Sequence, residues 1–315
     1  MLVVGVPRPP GVFGGHEPPA LVAVQRFVAH RAGSLARRRR SAPGAAVRAT
    51  LAAMGRWARF KEALAASSAA VGGGPAAQRV SGYPTSSNRA SSLHLAWELP
   101  AGTGPVVAVA VDLAVEAVPP VDELYFWALQ ASFQDGAGRR HGGAHLGLQW
   151  YAPHPGSRAV NWGGYAPGGG ILPGSESSLP SATDNPNTRD LWWEPGVAHT
   201  LAIAPAPGEG GGWAGSVDGT HIRTLAAGGD RLDGLTVWSE VFARCDDPPV
   251  AVRWSGFRAT LASGEVVWPL ALRVNYQRRS DGGCDNTTVV PDGDGVRQVT
   301  NSERQVPTGT RLPLA

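Results

Sequence analysis

From residue 92 onward, apolar side chains recur at every second position and do not settle into a spacing of three to four. Leu93, Leu95, Trp97 and Leu99 follow this rule, as do Val107, Val109, Val111 and Leu113, then Tyr125, Trp127 and Leu129, then Leu146, Leu148 and Trp150. A period of two puts such side chains on one face of an extended chain, whereas a helix would scatter them around its circumference. Runs of the same kind cover residues 198–204, 213–218, 222–226, 235–244, 250–261 and 270–277, with Gly, Pro, Asn and Asp between them. Many short runs separated by turn residues, with no helix-length segment intervening, argue against βαβ units. They predict an all-β domain over residues 92–277, a two-sheet antiparallel sandwich of the jelly-roll type.

The chain before residue 92 is built differently. Residues 1–61 carry eleven Lys and Arg against the single acid Glu17, a charge of +10, while the remaining 254 residues carry −7. The basic balance therefore belongs to a tail and not to the fold, so nucleic acid is not an expected partner of the sandwich. Residues 1–53, rich in Pro, Arg, Ala and Gly, read as a disordered or non-native basic tail, with Met54 as the alternative start to Met1. Leu51, Met54, Trp57, Phe60 and Leu64 form one stripe at helical spacing, so residues 54–91 read as a short amphipathic helix and a linker. Residues 278–315 are polar and rich in Gly and Asp, with one short candidate strand at 296–300. No stretch is long and apolar enough for a membrane span or a signal peptide, which leaves a cytoplasmic location as the default. Cys245 and Cys284 are free to pair or to stay reduced, because two cysteines do not define a disulfide framework.

The candidate chemistry lies in two places. Asn161-Trp162-Gly163-Gly164-Tyr165 opens a thirty-residue stretch, 161–190, that reads as a loop, and Arg189, Asp190, Trp192 and Trp193 close it. Flat rings beside Asn, Asp and Arg suit a sugar, whose C–H faces stack on aromatics while its hydroxyls take the polar groups. Packing of the rings within the loop is the competing reading. The second place is the run 235–244. There Val237, Ser239, Val241 and Ala243 alternate with Trp238, Glu240, Phe242 and Arg244, and Gln149 and Arg253 are expected on the same surface. An ordinary solvated sheet face, with Glu240 held by Arg253 or Arg244, is the alternative there.

Glycoside cleavage needs two carboxylates flanking one bond. Glu240 is the candidate acid, with no paired acidic motif beside it, so binding is favoured over catalysis. Asp184, Asn187 and Asp190 supply oxygen ligands in one loop, which makes calcium the metal to consider and Asx turns the rival explanation. No nucleophile elbow, phosphate loop or dinucleotide fingerprint occurs, and no other cofactor is expected.

Gly147-Leu148-Gln149 followed by Trp162 resembles a Gly-x-Gln and downstream Trp pattern of a bacterial domain-of-unknown-function family. The strand series as a whole resembles the concanavalin A-like lectin/glucanase jelly-roll superfamily. That resemblance implies a sandwich with a concave, glycan-binding face, and the glucanase acid motif is missing here. The reading that follows is a non-catalytic carbohydrate-binding module. Two alternatives stay open: a glycan-degrading enzyme using Glu240, and a protein-interaction module without a small ligand.

Overall fold

The computed structural model describes residues 80–182, 185–208 and 211–314. The predicted basic tail and amphipathic helix lie outside them. Sixteen strands occur among the described residues. In chain order they begin with β1 (Ser91–Glu98), β2 (Val106–Val115), β3 (Tyr125–Gln134), β4 (Arg140–Trp150), β5 (Arg158–Tyr165) and β6 (Thr188–Asp190). Next come β7 (Ala198–Pro205), β8 (Trp213–Val217), β9 (Thr220–Leu225), β10 (Arg231–Val241) and β11 (Val250–Leu261). The last are β12 (Val266–Val267), β13 (Ala271–Tyr276), β14 (Thr288–Asp292), β15 (Gly295–Thr300) and β16 (Arg311–Pro313). No described helix is long and apolar enough to cross a membrane.

Every pairing is antiparallel, and the pairings sort into two layers. The front layer runs β16-β13-β1-β10-β3-β4-β5-β6. The back layer runs β14-β15-β11-β2-β7-β8-β9, with β12 beside the end of β11. A single bridge, Leu232 to Val106, joins the layers. This is the all-β sandwich that the period of two predicts, and its interior is filled by the alternating residues: Leu93, Leu95, Val109, Val111, Leu113, Leu129, Leu146, Leu148 and Trp127 are all buried there.

Trp162, Trp193, Trp213 and Trp254 join Trp127 in that interior. The Trp127 and Trp193 rings meet edge-on at 6.4 Å, and Phe133 stacks on Trp213 at 5.1 Å. Such aromatic pairs are preferred over face-to-face sandwiches and add to the burial energy of the rings. Trp162 crosses to the back layer. A Cβ placed on Gly215 of β8 would stand 2.8 Å from its ring, so the glycine makes room for the indole.

Two expectations are corrected. Residues 158–165 form a strand, so the Asn161–Tyr165 segment is not a loop. Its paired glycines serve close approach: a Cβ on Gly164 would meet Gly143 O at 2.7 Å and Ala144 Cβ at 2.8 Å. The polar C-terminal segment contributes β14, β15 and β16 to both layers, because Val289, Val296 and Leu312 reach the interior and Gln298 is buried with them, bonded to Trp254 and Ser239.

Cys245 and Cys284 are joined as a disulfide with Cα atoms 5.5 Å apart, across a sequence separation of 39. A loop of that size restricts the unfolded chain by about 4 kcal/mol on the chain-entropy account. Reduction should lower the denaturation midpoint by a corresponding amount, measured with and without a thiol reductant. Trp162→Ala should cost about 3–5 kcal/mol in urea denaturation, because the vacated volume between the layers cannot close.

Candidate functional site

A strand sends alternate side chains to opposite faces, so the front layer has an outer set of residues as well as the inner one. The register gives this set in rows. One row reads Gln277, Ser92, Glu240, Phe126, Gln149, Ala159 and Asp190 across the layer. The next reads Asn275, His94, Trp238, Ala128, Gly147, Asn161 and Thr188. A third holds Thr236, Gln130, His145 and Gly163.

An outer sheet face is ordinarily wet, yet the centre of this one is buried. Phe126, Ala128, Trp238, Glu240, Gln149, His145, Asn161 and Thr188 are each less than a tenth exposed. The rings form one cluster: Phe126 meets Trp238 edge-on at 4.9 Å, and His145 lies 5.5 Å from Phe126, 5.6 Å from Trp238 and 6.1 Å from Tyr165. His94 flanks Trp238 at 6.2 Å. Gly147 is required in this floor, since a Cβ there would fall 2.7 Å from Ala128 Cβ and 2.0 Å from Trp127 O.

Glu240 is the acid of the cluster. Asn88 Nδ2 donates to its Oε1 at 3.0 Å, which brings the segment ahead of β1 onto the face. Across Phe126, two strand spacings and therefore about 10 Å away by backbone, stands Gln149. Its carboxamide has no hydrogen-bond partner among the described residues, while its backbone carbonyl accepts from Trp193 Nε1 at 3.3 Å. Asn161 Nδ2 donates to Thr188 Oγ1 at 2.9 Å. The Tyr165 hydroxyl is buried without a partner among the described residues, and burial together with the charge of Glu240 pushes its pKa well up. Burial lowers His145 to about 4, against a smaller opposing effect of Asn161, and lowers His94 to about 4 as well. Around neutral pH the cluster therefore holds neutral imidazoles.

The structure gathers Gln149, Trp238, Glu240, Asn161 and Tyr165 from the sequence expectations. Trp162 and Trp193 sit in the interior, and Trp192, 65% exposed, lies under the Arg158 guanidinium at 3.9 Å. Arg189 pairs with the core residue Val160 and points inward, whereas Asp190 stands at the outer edge of the Glu240 row. Arg253 belongs to the back layer, where it is bound to Asp292 and Asp294 and cannot reach Glu240. That placement corrects the expectation of a shared surface. Of the calcium candidates, Asn187 Oδ1 accepts from Arg223 at 2.9 Å and Asp184 lies outside the described residues. Asn88, His94, Phe126 and His145 were missed. Phe126 sits in a run of aromatics whose neighbours are core, and Asn88 arrives from outside any strand, though His94 and His145 each alternate with leucines.

No protein-family model matches the chain, and no curated protein does. Solved structures with a similar strand framework include scytalido-glutamic peptidase bound to a peptide-based transition-state analogue. Its identity is 11% and its TM-score 0.39, over 66% of this chain and 97% of that one. A second is SCP-B, a member of the Eqolisin family of peptidases, in complex with the tripeptide Ala-Ile-His, at 10% identity and a TM-score of 0.37 over 66% and 97%. A third is a β-porphyranase from the human gut bacterium Bacteroides plebeius, at 9% identity and a TM-score of 0.22 over 48% and 64%. A shared framework at this level says nothing of chemistry.

The lowered imidazoles set a pH dependence. His145 binds its proton more weakly folded than unfolded, so its contribution is complete above about pH 6.5 and is lost as pH falls through about 4. Protonating it in place costs on the order of 3 kcal/mol. The thermal midpoint should therefore drop between pH 6.5 and 4, and His145→Phe should flatten that slope in scanning calorimetry.

Proposed function

We propose that the outer face of the front layer is a hydrolytic site acting on an acyl bond, with a peptide as the best-fitting substrate class. The observation that carries this reading is the register, which sets a carboxylate, Glu240, and a free carboxamide, Gln149, on either side of Phe126. A Cα separation of about 10 Å leaves room between the two side-chain ends for a planar carbonyl group and one water. Glu240 takes a proton from that water as its oxygen attacks the carbonyl carbon. The Gln149 N–H groups face the carbonyl oxygen and stabilise the negative charge that gathers there. When the C–N bond breaks, Glu240 returns the proton to the leaving nitrogen. The neutral imidazoles and the buried rings keep the local dielectric low, which strengthens both interactions.

Two-carboxylate chemistry fits these strands less well. The other acids that they bear, Glu98, Asp190 and Asp233, are each about 20 Å from Glu240 by ordinary strand geometry, against the 5–10 Å that glycoside cleavage uses. A glycanase would have to bring its second acid from elsewhere. Glycan binding without cleavage is the second reading. It is favoured by the company of Trp238, Tyr165 and Phe126 with Asn161, Gln149 and Glu240, the mixture that holds sugar faces and hydroxyls.

The full chain should release product from a quenched fluorescent peptide library. Glu240→Gln should lower the rate by a factor of about 10²–10⁴ and Gln149→Ala by about 10²–10³, each without loss of the folded signal in circular dichroism. A rate unchanged by Glu240→Gln removes this assignment. Absence of peptide turnover, together with a specific hit on a glycan array that Trp238→Ala abolishes, would establish the second reading.

A further inference from the structure

Away from the Glu240 row, at the edge where β6 of the front layer approaches β9 of the back layer, two arginines are buried together. Arg189 is 7% exposed and Arg223 5%. Arg189 shares the inner face with its strand partner Val160. Arg223 pairs with Gly215, the glycine against which the Trp162 indole rests. The residues 171–175 strap this corner shut: Leu172 N–H donates to Gly164 O, Ser175 N–H to Thr224 O and Ala226 N–H to Pro173 O. Gly174 lies so flat on the Arg223 guanidinium that a Cβ there would fall 2.0 Å from Nη2.

The partners of both guanidiniums are neutral. Arg189 Nη1 donates to Thr188 O at 3.0 Å, and Arg223 Nη1 donates to Asn187 Oδ1 at 2.9 Å and to Pro186 O. Neither makes an ion pair among the described residues. Glu176 acts on Arg223 only from a distance and is exposed, and Asp190, next to Arg189 in the chain, points to the opposite face. Arg189 Nε, Arg223 Nε and Trp162 Nε1 are all buried donors without an acceptor among the described residues. Burial, and after it the charge of Arg189, lowers the Arg223 pKa, so the two cations are close enough to oppose each other. Ordered water can satisfy an orphan N–H, but it cannot offset two like charges held out of solvent.

We infer that this corner is an anion site, in which Arg189 and Arg223 hold a small inorganic anion of the halide class between the two layers. The anion neutralises the pair and accepts from the orphaned donors, so its binding locks β6 to β9 across the strap. The site is structural and separate from the Glu240 face.

The probe is bromide, exchanged for gluconate at constant ionic strength with the full chain. The thermal midpoint should rise to a plateau by roughly 5 °C as bromide saturates the site. Arg189→Gln and Arg223→Gln should each lose that increment. Should either variant fail to fold, anomalous scattering from crystals of the unsubstituted chain in bromide keeps the question decidable. A peak between the two guanidiniums supports the site, and its absence overturns it. A midpoint indifferent to bromide in the unsubstituted chain but dependent on it in Asp184→Asn would place the counter-charge within the chain, and would also overturn it.

Discussion

The antiparallel register of β10, β3 and β4 decides what both faces of the front layer are made of. With Phe126 opposite both Glu240 and Gln149, the intervening residues Val237, Trp127 and Leu148 are committed to the interior. A slip of one residue on any of these strands would send a carboxylate or a carboxamide into the core and a leucine or tryptophan to the outside. The hydrophobic packing between the layers therefore holds the outer row in place as well as stabilising the sandwich. The site has no loop scaffold of its own at its centre, and its geometry is as rigid as the sheet.

The outer face is unusual for its dryness. Sheets in sandwiches commonly bury one face and wet the other, yet here Trp238, Phe126 and His145 make a second, smaller packed layer. Burying polar groups in such a place is costly unless they are bonded or have work to do. Asn161 is bonded to Thr188 and Glu240 to Asn88, but the Tyr165 hydroxyl and the Trp238 Nε1 have no acceptor among the described residues.

Much of this framework was legible in the sequence because alternation is a local property. Leu93 to Leu99 and Val109 to Leu113 announce their strands and faces without reference to anything distant, whereas a register shift at the start of β2 puts Val106 and not Val107 in the core, and Trp238 and Glu240 share a face by parity alone. Distance in sequence hid the rest. Nothing near Trp162 reveals that Gly215 receives its ring, so a tryptophan beside two glycines resembled an exposed platform when it is an interior anchor. Arg253 has the right parity for the Glu240 surface but belongs to the other layer, a fact set by strand order and not by spacing. The arginine pair is likewise assembled from two strands on different layers, and neither arginine carries a motif.

The disulfide gains meaning from its neighbours. Cys245 N–H donates to Gly82 O at 2.7 Å, and Cys284 N–H donates to Ser91 Oγ at 2.8 Å. The bridge thus fastens both ends of the short segment 82–91, within which Asn88 donates a hydrogen bond to Glu240. Oxidation of two sulfurs remote from Glu240 therefore fixes one of its hydrogen-bond donors. A thiol reductant would slacken that segment and loosen the hold of Asn88 on Glu240 with no contact between the reductant and the outer face, so the redox state of the surroundings becomes a setting on how firmly the carboxylate is held.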